Sequence, residues 1–422
     1  MDNVGDPLQH PRIMMYSQDG FGLGHMRRIT SIGSQLLRMR PDACILTLAD
    51  SRLGPFFKTA HNHDYLKLPS IVKVGPGDWR AVNLPLPFVD VHVMRRELIH
   101  SAALCFQPHM FLVDHMPHGA MGELLPTLWT LKAAGAKIVL GLRDILDAPE
   151  VVRQRWQSEG AYEAIERFYD LVLVYGRRDV FDLAEQYHFP PTVLDRLRYC
   201  GYVCTPAVAR SARGVRATYL AGADADAKLI AAMAGGGADA YPMMRALLDA
   251  FPSIQSRQRC AAVVVAGPFM PRELYNDLKT RAAGLPVRVL RAVTDTLSLI
   301  AAADLVVGMA GYNTTMEILR SGRQALVIPR AGPSAEQRMR ARLFAAKGWI
   351  GMLDPDDLSA DRLAQAVVDN LAVAPASASD EKPDLQGLAR AAEELLALLP
   401  ATSADIPDRA MDTAQPSHVA HV

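Results

Sequence analysis

Short apolar runs alternate along the chain with polar loops and with amphipathic stretches of helical period. An apolar run without polar alternation is typical of a parallel strand that is buried on both faces. The stretches between the runs, such as residues 26–39 and 161–169, predict helices. Alternation of strands and helices predicts an α/β fold with parallel sheets. The strands predicted in the first half are residues 13–16, 44–48, 110–113, 138–140 and 171–174.

The pattern is interrupted once and then restarts, which divides the chain. Periodicity is lost at about residues 206–226, and a second series of apolar runs begins at residue 229. A chain of 422 residues is also too long for one simple core. We therefore predict a flexible N-terminus at 1–11, a first domain at 12–205, a linker at 206–226, a second domain at 227–375, a helix at 384–400 and a disordered tail at 401–422.

Residues 303–342 contain two successive strand–loop–helix units. The first strand is followed by Gly308 and Gly311 and then by a helix that carries Glu317 one turn in. The second strand ends at Pro329 and leads to Glu336 and Gln337 at the head of another helix. Free N–H groups at helix N-termini suit a diphosphate, and a carboxylate suits the vicinal hydroxyls of a ribose. This segment therefore predicts a site for a nucleotide that carries a sugar.

A triple glycine, Gly235 to Gly237, separates an apolar strand from a helix. Without Cβ atoms, its backbone N–H groups can approach an anion closely. A tight strand-to-helix turn is the alternative interpretation. No Lys-Ser or Lys-Thr pair follows, so the loop is not a P-loop for ATP hydrolysis.

The segment 303–342 resembles the donor half of GT-B glycosyltransferases and is most similar to family 28. That family includes the transferase that adds N-acetylglucosamine to the peptidoglycan lipid intermediate. The pattern is Ala-Asp, an apolar run, glycine, threonine and glutamate, then a strand ending in proline, then Glu-Gln. Shorter similarities at residues 22–25, 233–237 and 290–304 extend the resemblance over most of residues 12–370. It implies a GT-B fold, in which two Rossmann-like parallel-sheet domains face each other across a cleft.

The resemblance also implies roles for individual residues. The triple glycine faces the donor diphosphate, Glu317 binds the ribose, and Glu336 with Gln337 binds sugar hydroxyls. The backbone of Val293 contacts the base, and the helix at 384–400 packs back on the first domain. The family often has an Arg-Ser pair where this chain has Met309 and Ala310, which removes one expected phosphate contact. The complete set of implied donor residues is Gly235, Gly236, Gly237, Val293, Gly311, Asn313, Thr314, Thr315, Glu317, Glu336 and Gln337.

The first domain contributes a candidate base and acceptor residues. His25 begins a helix after the first strand, and an imidazole suits general-base chemistry near neutral pH. Asp114 ends a later strand at the same sheet edge, and either orients His25 or is itself the base. Arg143 follows the next strand and either neutralises an acceptor charge or pairs with its neighbour Asp144. Gly22 and Gly24 complete the predicted acceptor side of the cleft.

The amino-acid composition and charge limit the classes of partner that we expect. The 45 basic and 45 acidic residues cancel, so we expect no nucleic-acid partner. We also expect no metal site. Asp224 and Asp226 lie before a strand rather than after one. His61 and His63 have no partner ligand at a diagnostic spacing, so we predict that they lie in a hydrated loop. The five cysteines form no CxxC pair and predict reduced, buried thiols.

The distribution of apolar residues also predicts where the protein is located in the cell. The chain has no signal-peptide pattern and no run of 18 apolar residues, which predicts a cytoplasmic protein. Residues 83–99 mix apolar residues with arginine. A peripheral contact with the inner face of the membrane is left open for this segment, beside its interpretation as a core helix and loop.

These expectations combine into one activity with two alternatives. We expect an inverting, metal-independent glycosyltransferase without a cofactor, which moves a hexose or N-acetylhexosamine from a nucleotide sugar, UDP-linked, to an acceptor hydroxyl. The acceptor is an unidentified glycan, lipid-linked sugar or small molecule. The alternatives are a sugar-nucleotide 2-epimerase of the same architecture and a non-catalytic nucleotide-sugar-binding protein.

Overall fold

The structure is a computed structural model. It describes residues 10–18, 24–51, 60–75, 78–205, 211–220, 227–373 and 382–399. Residues 1–9 of the predicted N-terminus, part of the predicted linker and the predicted tail lie outside these residues, as do Gly22, Asp224 and Asp226.

The first domain is built on a seven-stranded parallel sheet in the order β3-β2-β1-β6-β7-β8-β9. A two-stranded antiparallel hairpin, β4 and β5, lies apart from that sheet. The elements of this half are β1 Arg12–Ser17, α1 Gly24–Met39, β2 Cys44–Ala49, β3 His63–Lys67, β4 Ile71–Gly75, β5 Asp78–Ala81, α2 Phe88–Phe106, β6 Met110–Asp114, α3 Leu125–Ala133, β7 Lys137–Arg143, α4 Pro149–Glu159, α5 Ala161–Phe168, β8 Leu171–Tyr175, α6 Leu183–Gln186, α7 Pro191–Leu194 and β9 Leu197–Tyr199.

The second domain is built on a six-stranded parallel sheet in the order β12-β11-β10-β13-β14-β15. Its elements, with those that join and follow it, are α8 Ala212–Tyr219, β10 Lys228–Met233, α9 Tyr241–Arg257, β11 Cys260–Val265, α10 Arg272–Arg281, β12 Val287–Leu290, α11 Thr296–Ala302, β13 Leu305–Gly308, α12 Tyr312–Ser321, β14 Gln324–Val327, α13 Glu336–Ala346, β15 Gly351–Met352, α14 Ala360–Ala372 and α15 Gly387–Leu396.

Both sheets have the same topology at their centre. In the first sheet β1 pairs with β2 on one side and with β6 on the other, and in the second β10 pairs in the same way with β11 and β13. The strand order reverses at β1 and at β10, and ligands of open α/β sheets bind at the carboxyl ends of strands beside such points. The central strands are fully buried apolar runs, as parallel strands covered by helices on both faces require.

The last helix crosses from the second domain to the first. Asp384 accepts a backbone hydrogen bond from Tyr202, and Tyr202 accepts one from Gly387, over 2.8 and 3.1 Å. A Cβ atom on Gly387 would lie 2.4 Å from the carbonyl oxygen of Gly201, so this approach requires glycine. Leu388, Ala391, Ala392 and Leu395 of α15 are buried there.

The predicted fold class, two Rossmann-like parallel-sheet domains, is confirmed. Several local expectations were wrong. His63 does not lie in a hydrated loop: it is in the edge strand β3, where its buried ring is 2.8 Å from the Thr47 hydroxyl, and burial lowers its pKa to about 4. The segment predicted as a linker contains the helix α8, which does not change its place between the two sheets. Cys105 is exposed on α2, whereas Cys200, Cys204 and Cys260 are buried.

Candidate active site between the two domains

The carboxyl-terminal edges of the two sheets meet through direct contacts. The hydroxyl of Tyr312, at the start of α12, donates to the carbonyl of Tyr175 at the end of β8 over 2.8 Å and accepts from the N–H of Val203 over 2.8 Å. The side-chain amide of Asn313 donates to the carbonyl of Gly24 over 2.9 Å. The start of α12 therefore lies against the start of α1, where the sequence predicted the two halves of the site.

His25, Asp114 and Arg28 form one hydrogen-bonded group on the first domain. Nδ1 of His25 is 2.5 Å from Oδ2 of Asp114, at the end of β6. Arg28 donates to both carboxylate oxygens of Asp114 over 2.7 to 3.0 Å. Nδ1 also lies 2.9 Å from Nη2 of Arg28, but the carboxylate is nearer and favours the tautomer with the proton on that nitrogen. Within the described part of the chain no residue bonds the other ring nitrogen, Nε2, so its lone pair is free to accept a proton.

Asp114 is ionised and enclosed. Burial by itself would raise its pKa, but the guanidinium of Arg28 and the ring of His25 outweigh burial and lower the pKa to about 2. Arg28 is itself buried and lies 5.5 and 5.7 Å from the ring centroids of Tyr175 and Tyr312, one from each domain. The ion pair thus lies between aromatic rings of both domains.

His115 extends this group toward Arg143. Its backbone is in the left-handed region, with φ +77°, and its ring lies 5.0 Å from that of His25. Burial, together with the neighbouring charges of Arg143 and His25, lowers the pKa of His115 well below its usual value, so the ring is neutral at neutral pH.

The three positions of the triple glycine differ in their surroundings. Gly237 has φ +82°, and an added Cβ would lie 1.8 Å from the carbonyl oxygen of Ala266, so this position is fixed by the packing of two loops. Gly235 has φ +54°, and an added Cβ would meet no atom within 4 Å. Gly237 is a turn residue and Gly235 borders open space after β10, whereas the carbonyl of Gly236 accepts a backbone hydrogen bond from Phe269 over 2.9 Å.

The start of α12 is partly occupied by internal contacts. Gly311 precedes the helix and faces open space. Thr315 is buried and its hydroxyl donates to the Gly311 carbonyl over 2.9 Å, so it does not face a ligand, whereas Thr314 is half-buried. Ala310 has φ +58°, and its carbonyl accepts from Arg340 over 3.0 Å.

Glu317 is buried, and its carboxylate meets the first domain. Oε1 is 2.7 Å from Nη1 of Arg27 on α1. Burial raises the pKa of Glu317, and Arg27 opposes this effect. Arg27 contacts one carboxylate oxygen, so Oε2 remains for a ligand hydroxyl.

Glu336 joins a second ion network between the domains. Its Oε1 is 2.9 Å from Arg143 and 2.8 Å from Arg340. Arg340 also donates to both oxygens of Asp144 over 2.5 and 2.9 Å. Burial would raise the pKa of Glu336, but Arg143 and Arg340 lower it to about 2. Of the two alternatives that the sequence left open for Arg143, pairing with Asp144 is not the one observed, because Arg143 pairs with Glu336 and Asp144 pairs with Arg340.

Two further predicted donor residues lie beside this network. Gln337 is buried and accepts from the backbone N–H of Arg330 over 3.2 Å. Val293 is half-buried and packs against the core, in the loop after β12. In the described ranges no group of three or more histidine, cysteine or acidic residues has the geometry of a metal site. None of the helices described is long and apolar enough to span a membrane.

Arg27, Arg28, Arg340 and Tyr312 were missed by the sequence reading. Their partners are 290, 86, 196 and 137 residues away, so no local spacing connects them. One signal was available for Arg28, because it lies on the apolar face of α1 with Ile29 and Ile32. An arginine on such a face needs a buried acidic partner.

Solved structures share this architecture over most of the chain. A glycotransferase of kitacinnamycin is 16% identical with a TM-score of 0.62, covering 93% of this chain and 100% of that one. MurG of Acinetobacter baumannii is 13% identical with a TM-score of 0.57, covering 92% and 99%. A putative UDP-N-acetylglucosamine 2-epimerase of Listeria monocytogenes is 13% identical with a TM-score of 0.62, covering 92% and 95%. These similarities establish the fold: the protein has the GT-B fold.

Sequence comparison identifies the second domain. Residues 231–395 match the glycosyltransferase family 28 C-terminal domain. A UDP-N-acetylglucosamine–N-acetylmuramyl-(pentapeptide) pyrophosphoryl-undecaprenol N-acetylglucosamine transferase of Acidothermus cellulolyticus is 31% identical over 160 residues, which are 38% of this chain and 43% of that protein. The transferase of the same name from Geobacter sp. is 30% identical over 179 residues, or 39% and 45%. The chain thus matches less than half the length of these relatives. The whole chain therefore has the GT-B fold, and its second domain is similar to the C-terminal domain of family 28, as the resemblance implied.

Proposed function

We propose that this protein is an inverting glycosyltransferase that transfers a hexose or N-acetylhexosamine from a UDP-linked donor to an acceptor hydroxyl. The observation that carries the proposal is the position of the His25–Asp114 pair directly across the cleft from the start of α12, with Glu317 one turn further along that helix. A base and a nucleotide-sugar site on opposite domains are the two parts that such a transfer needs. The names of the two relatives, which specify a UDP-N-acetylglucosamine donor, support the same donor here.

The transfer takes one displacement. Nε2 of His25 accepts the proton of the acceptor hydroxyl, and the oxygen attacks the anomeric carbon on the face opposite the diphosphate. The new glycosidic bond forms as the bond to the diphosphate oxygen breaks, which inverts the configuration. UDP leaves with the electron pair of the broken bond. Backbone N–H groups after β10 and at the start of α12 stabilise its added charge.

Asp114 acts in this mechanism as a positioning residue. Its pKa of about 2 makes it a weak base, and both its oxygens are bonded to Arg28. It holds His25 in the tautomer with a free Nε2 and stabilises the imidazolium that forms on proton transfer. The geometry therefore favours His25 over Asp114 as the base.

The donor groups have matching assignments. Glu317 binds the ribose hydroxyls through its carboxylate, and Glu336 with Gln337 binds hydroxyls of the transferred sugar. Helix N-termini and arginines oppose the diphosphate charge, so we propose that no metal is required. Enzyme treated with a chelator and assayed with and without added Mg²⁺ tests this point. Activity that appears only with the metal would refute it.

The epimerase alternative is less compatible with the site. An epimerase needs acidic groups in the cleft that exchange protons, and Asp114 and Asp144 were its candidates. Each of them forms a buried ion pair, with Arg28 and Arg340 respectively. Incubation of the UDP-sugar without acceptor distinguishes the two activities, because an epimerase forms a new UDP-sugar under that condition and a transferase does not.

A peripheral membrane contact is part of the proposal, with a lipid-linked acceptor as in the names of the relatives. Exposed apolar side chains cluster on α2 and the loop before it, and the nearby Arg80 and Arg96 are each paired with an acidic neighbour, Asp78 and Glu97. This apolar surface suits a cytoplasmic enzyme that contacts lipid at the inner face of the membrane. Its exposed apolar residues are Leu84, Leu86, Val89, Val93, Met94 and Leu98.

Sedimentation with anionic vesicles tests the membrane contact. Val89→Asp and Val93→Asp should reduce the bound fraction, while Val151→Asp, at an exposed valine of α4, should not. Equal sedimentation of all three variants and the wild type, or no binding by the wild type, would refute the contact.

Kinetics of two variants test the activity itself. His25→Ala should lower kcat by roughly 10²- to 10⁴-fold while leaving UDP binding intact, because it removes the base. Glu317→Ala should chiefly weaken UDP binding. Unchanged kinetics in both variants would contradict the residue assignment.

A further inference from the structure

Arg27 is a cation of the first domain that points at the donor side of the cleft. It lies on α1 two residues after His25. Its Nη1 is 2.7 Å from Glu317, and its Nη2 is 3.4 Å from the Thr296 hydroxyl. A third of its side chain is exposed, whereas that of Glu317 is almost fully buried. Arg27 therefore covers the carboxylate that is proposed to bind the ribose.

A bound donor competes with Arg27 for Glu317. Two vicinal ribose hydroxyls use both oxygens of a carboxylate, and Arg27 occupies one of the oxygens of Glu317. Binding of the ribose therefore displaces the guanidinium into the cleft. Because it still carries its charge, it needs another anion there.

The donor diphosphate supplies that anion at the correct place. Asn313 holds the start of α12 against Gly24, so the first turns of α1 and α12 lie side by side. Met309 and Ala310 precede α12 and are apolar, so these positions contribute no cationic side chain to a phosphate bound at that helix start. A guanidinium on the neighbouring helix fills this role, since its fork binds phosphate oxygens through two parallel hydrogen bonds.

We propose that Arg27 is a diphosphate-binding residue that exchanges Glu317 for the donor when a nucleotide sugar binds. The proposal rests on the proposed function, because it takes the start of α12 as the diphosphate site. It gives one side chain two partners: Glu317 in the free protein and the leaving diphosphate in the complex. The first domain would thus contribute both the base and a cation for the leaving group, from a single turn of α1.

Titration calorimetry with UDP and with uridine tests this exchange. Arg27→Met should weaken UDP binding at least tenfold and change uridine binding by less than twofold, because uridine has no phosphate. Arg27→Lys should give an intermediate loss for UDP, since it keeps the charge but not the fork. Arg38→Met, at an exposed arginine near the end of the same helix, is the matched control and should bind both ligands as the wild type does.

Two results would overturn the inference. An equal loss for UDP and uridine in Arg27→Met would mean that Arg27 only shapes the cleft, and unchanged binding of both would mean that it does not reach the diphosphate. If Arg27→Met does not fold, Arg27→Gln is measured in its place. Failure of the wild type to bind UDP would instead refute the proposed function, so the two failures are distinguishable.

Discussion

Replacement of Asp114 by asparagine tests the ion pair on which the candidate base depends. The substitution keeps the shape of the side chain and removes its charge. It leaves the Arg28 guanidinium, whose side chain is 1% exposed, without an anion. It also puts an amide beside His25 Nδ1, where the carboxylate now favours the tautomer with a free Nε2. Stability and turnover should therefore fall together.

The size of the stability effect follows from the burial and the pKa. A shift of the Asp114 pKa from the ordinary 3.8 to about 2 corresponds to about 2 kcal/mol of stabilisation at neutral pH. Removal of one partner also leaves the other charge buried, which costs roughly 3–5 kcal/mol in buried pairs. From these two values, we expect Asp114→Asn to lower the free energy of unfolding by about 2 to 5 kcal/mol.

The pH dependence has a definite sign. Because the folded pKa lies below the unfolded one, the unfolded state binds more protons between about pH 4 and pH 2. The contribution of Asp114 is complete above that window and is lost as the pH falls through it. Wild-type stability should therefore decline more steeply with acid than that of Asp114→Asn.

Urea denaturation at pH 7 and pH 3.5 measures both effects. Asp78→Asn is the control, because Asp78 belongs to an exposed pair with Arg80 and should change the free energy of unfolding by less than about 1 kcal/mol. A loss below 1 kcal/mol in Asp114→Asn at pH 7, or the same acid dependence as the wild type, would refute the account of this ion pair.

Three further predictions follow from burial and backbone geometry. Gly237→Ala should lower the free energy of unfolding by roughly 3 kcal/mol, because its Cβ would overlap the Ala266 carbonyl. Gly235→Ala should lower it by about 1 kcal/mol, because only the positive φ is strained there. A larger loss for Gly235→Ala than for Gly237→Ala in urea denaturation would contradict this explanation. Arg340→Met should cost roughly 3–5 kcal/mol in the same assay, because it strands buried Asp144, and a loss below 1 kcal/mol would be inconsistent with the network. Burial raises the pKa of the thiols of Cys200, Cys204 and Cys260 to between about 11 and 12. A thiol reagent at pH 8 should therefore label the exposed Cys105 in native protein and leave these three unlabelled. Early labelling of any of the three, measured by mass spectrometry, would contradict their burial.

The sequence predicted those parts of the fold that are written in local patterns. The buried central strands are uninterrupted apolar runs, and their bounds differ from the prediction by a few residues. The edge strand β3 was missed because its sequence, HDYLK, is mostly polar and only His63 is fully buried. The short helix α8 was not predicted, because none of its residues is fully buried and only Ala212, Val215 and Tyr219 pack against the core.

The candidate site likewise has parts that local sequence patterns predict and parts that they do not. Glu317 and Glu336 were recognised because each follows a strand and a loop at a helix start, which is a local arrangement. Their ion pairs were not predicted: Arg27 was not singled out, and Arg143 was expected on the acceptor side, because both arginines belong to the other domain. Which acid meets which arginine depends on how the two sheets face each other, and no spacing in the sequence records that. The departure at Met309 and Ala310 was visible, but its consequence for Arg27 required the structure.

The most direct test of the account is the thermal stabilisation of the purified protein by UDP, GDP, dTDP and ADP and by their common sugar conjugates. A ligand that binds only the folded state adds about 2.7 kcal/mol at 100 times its dissociation constant. The account predicts selective stabilisation by UDP and UDP-sugars, which Glu317→Ala reduces. The absence of stabilisation by every nucleotide would mean that the loops at Gly235 and Gly311 are only turns, and would contradict the proposed donor site.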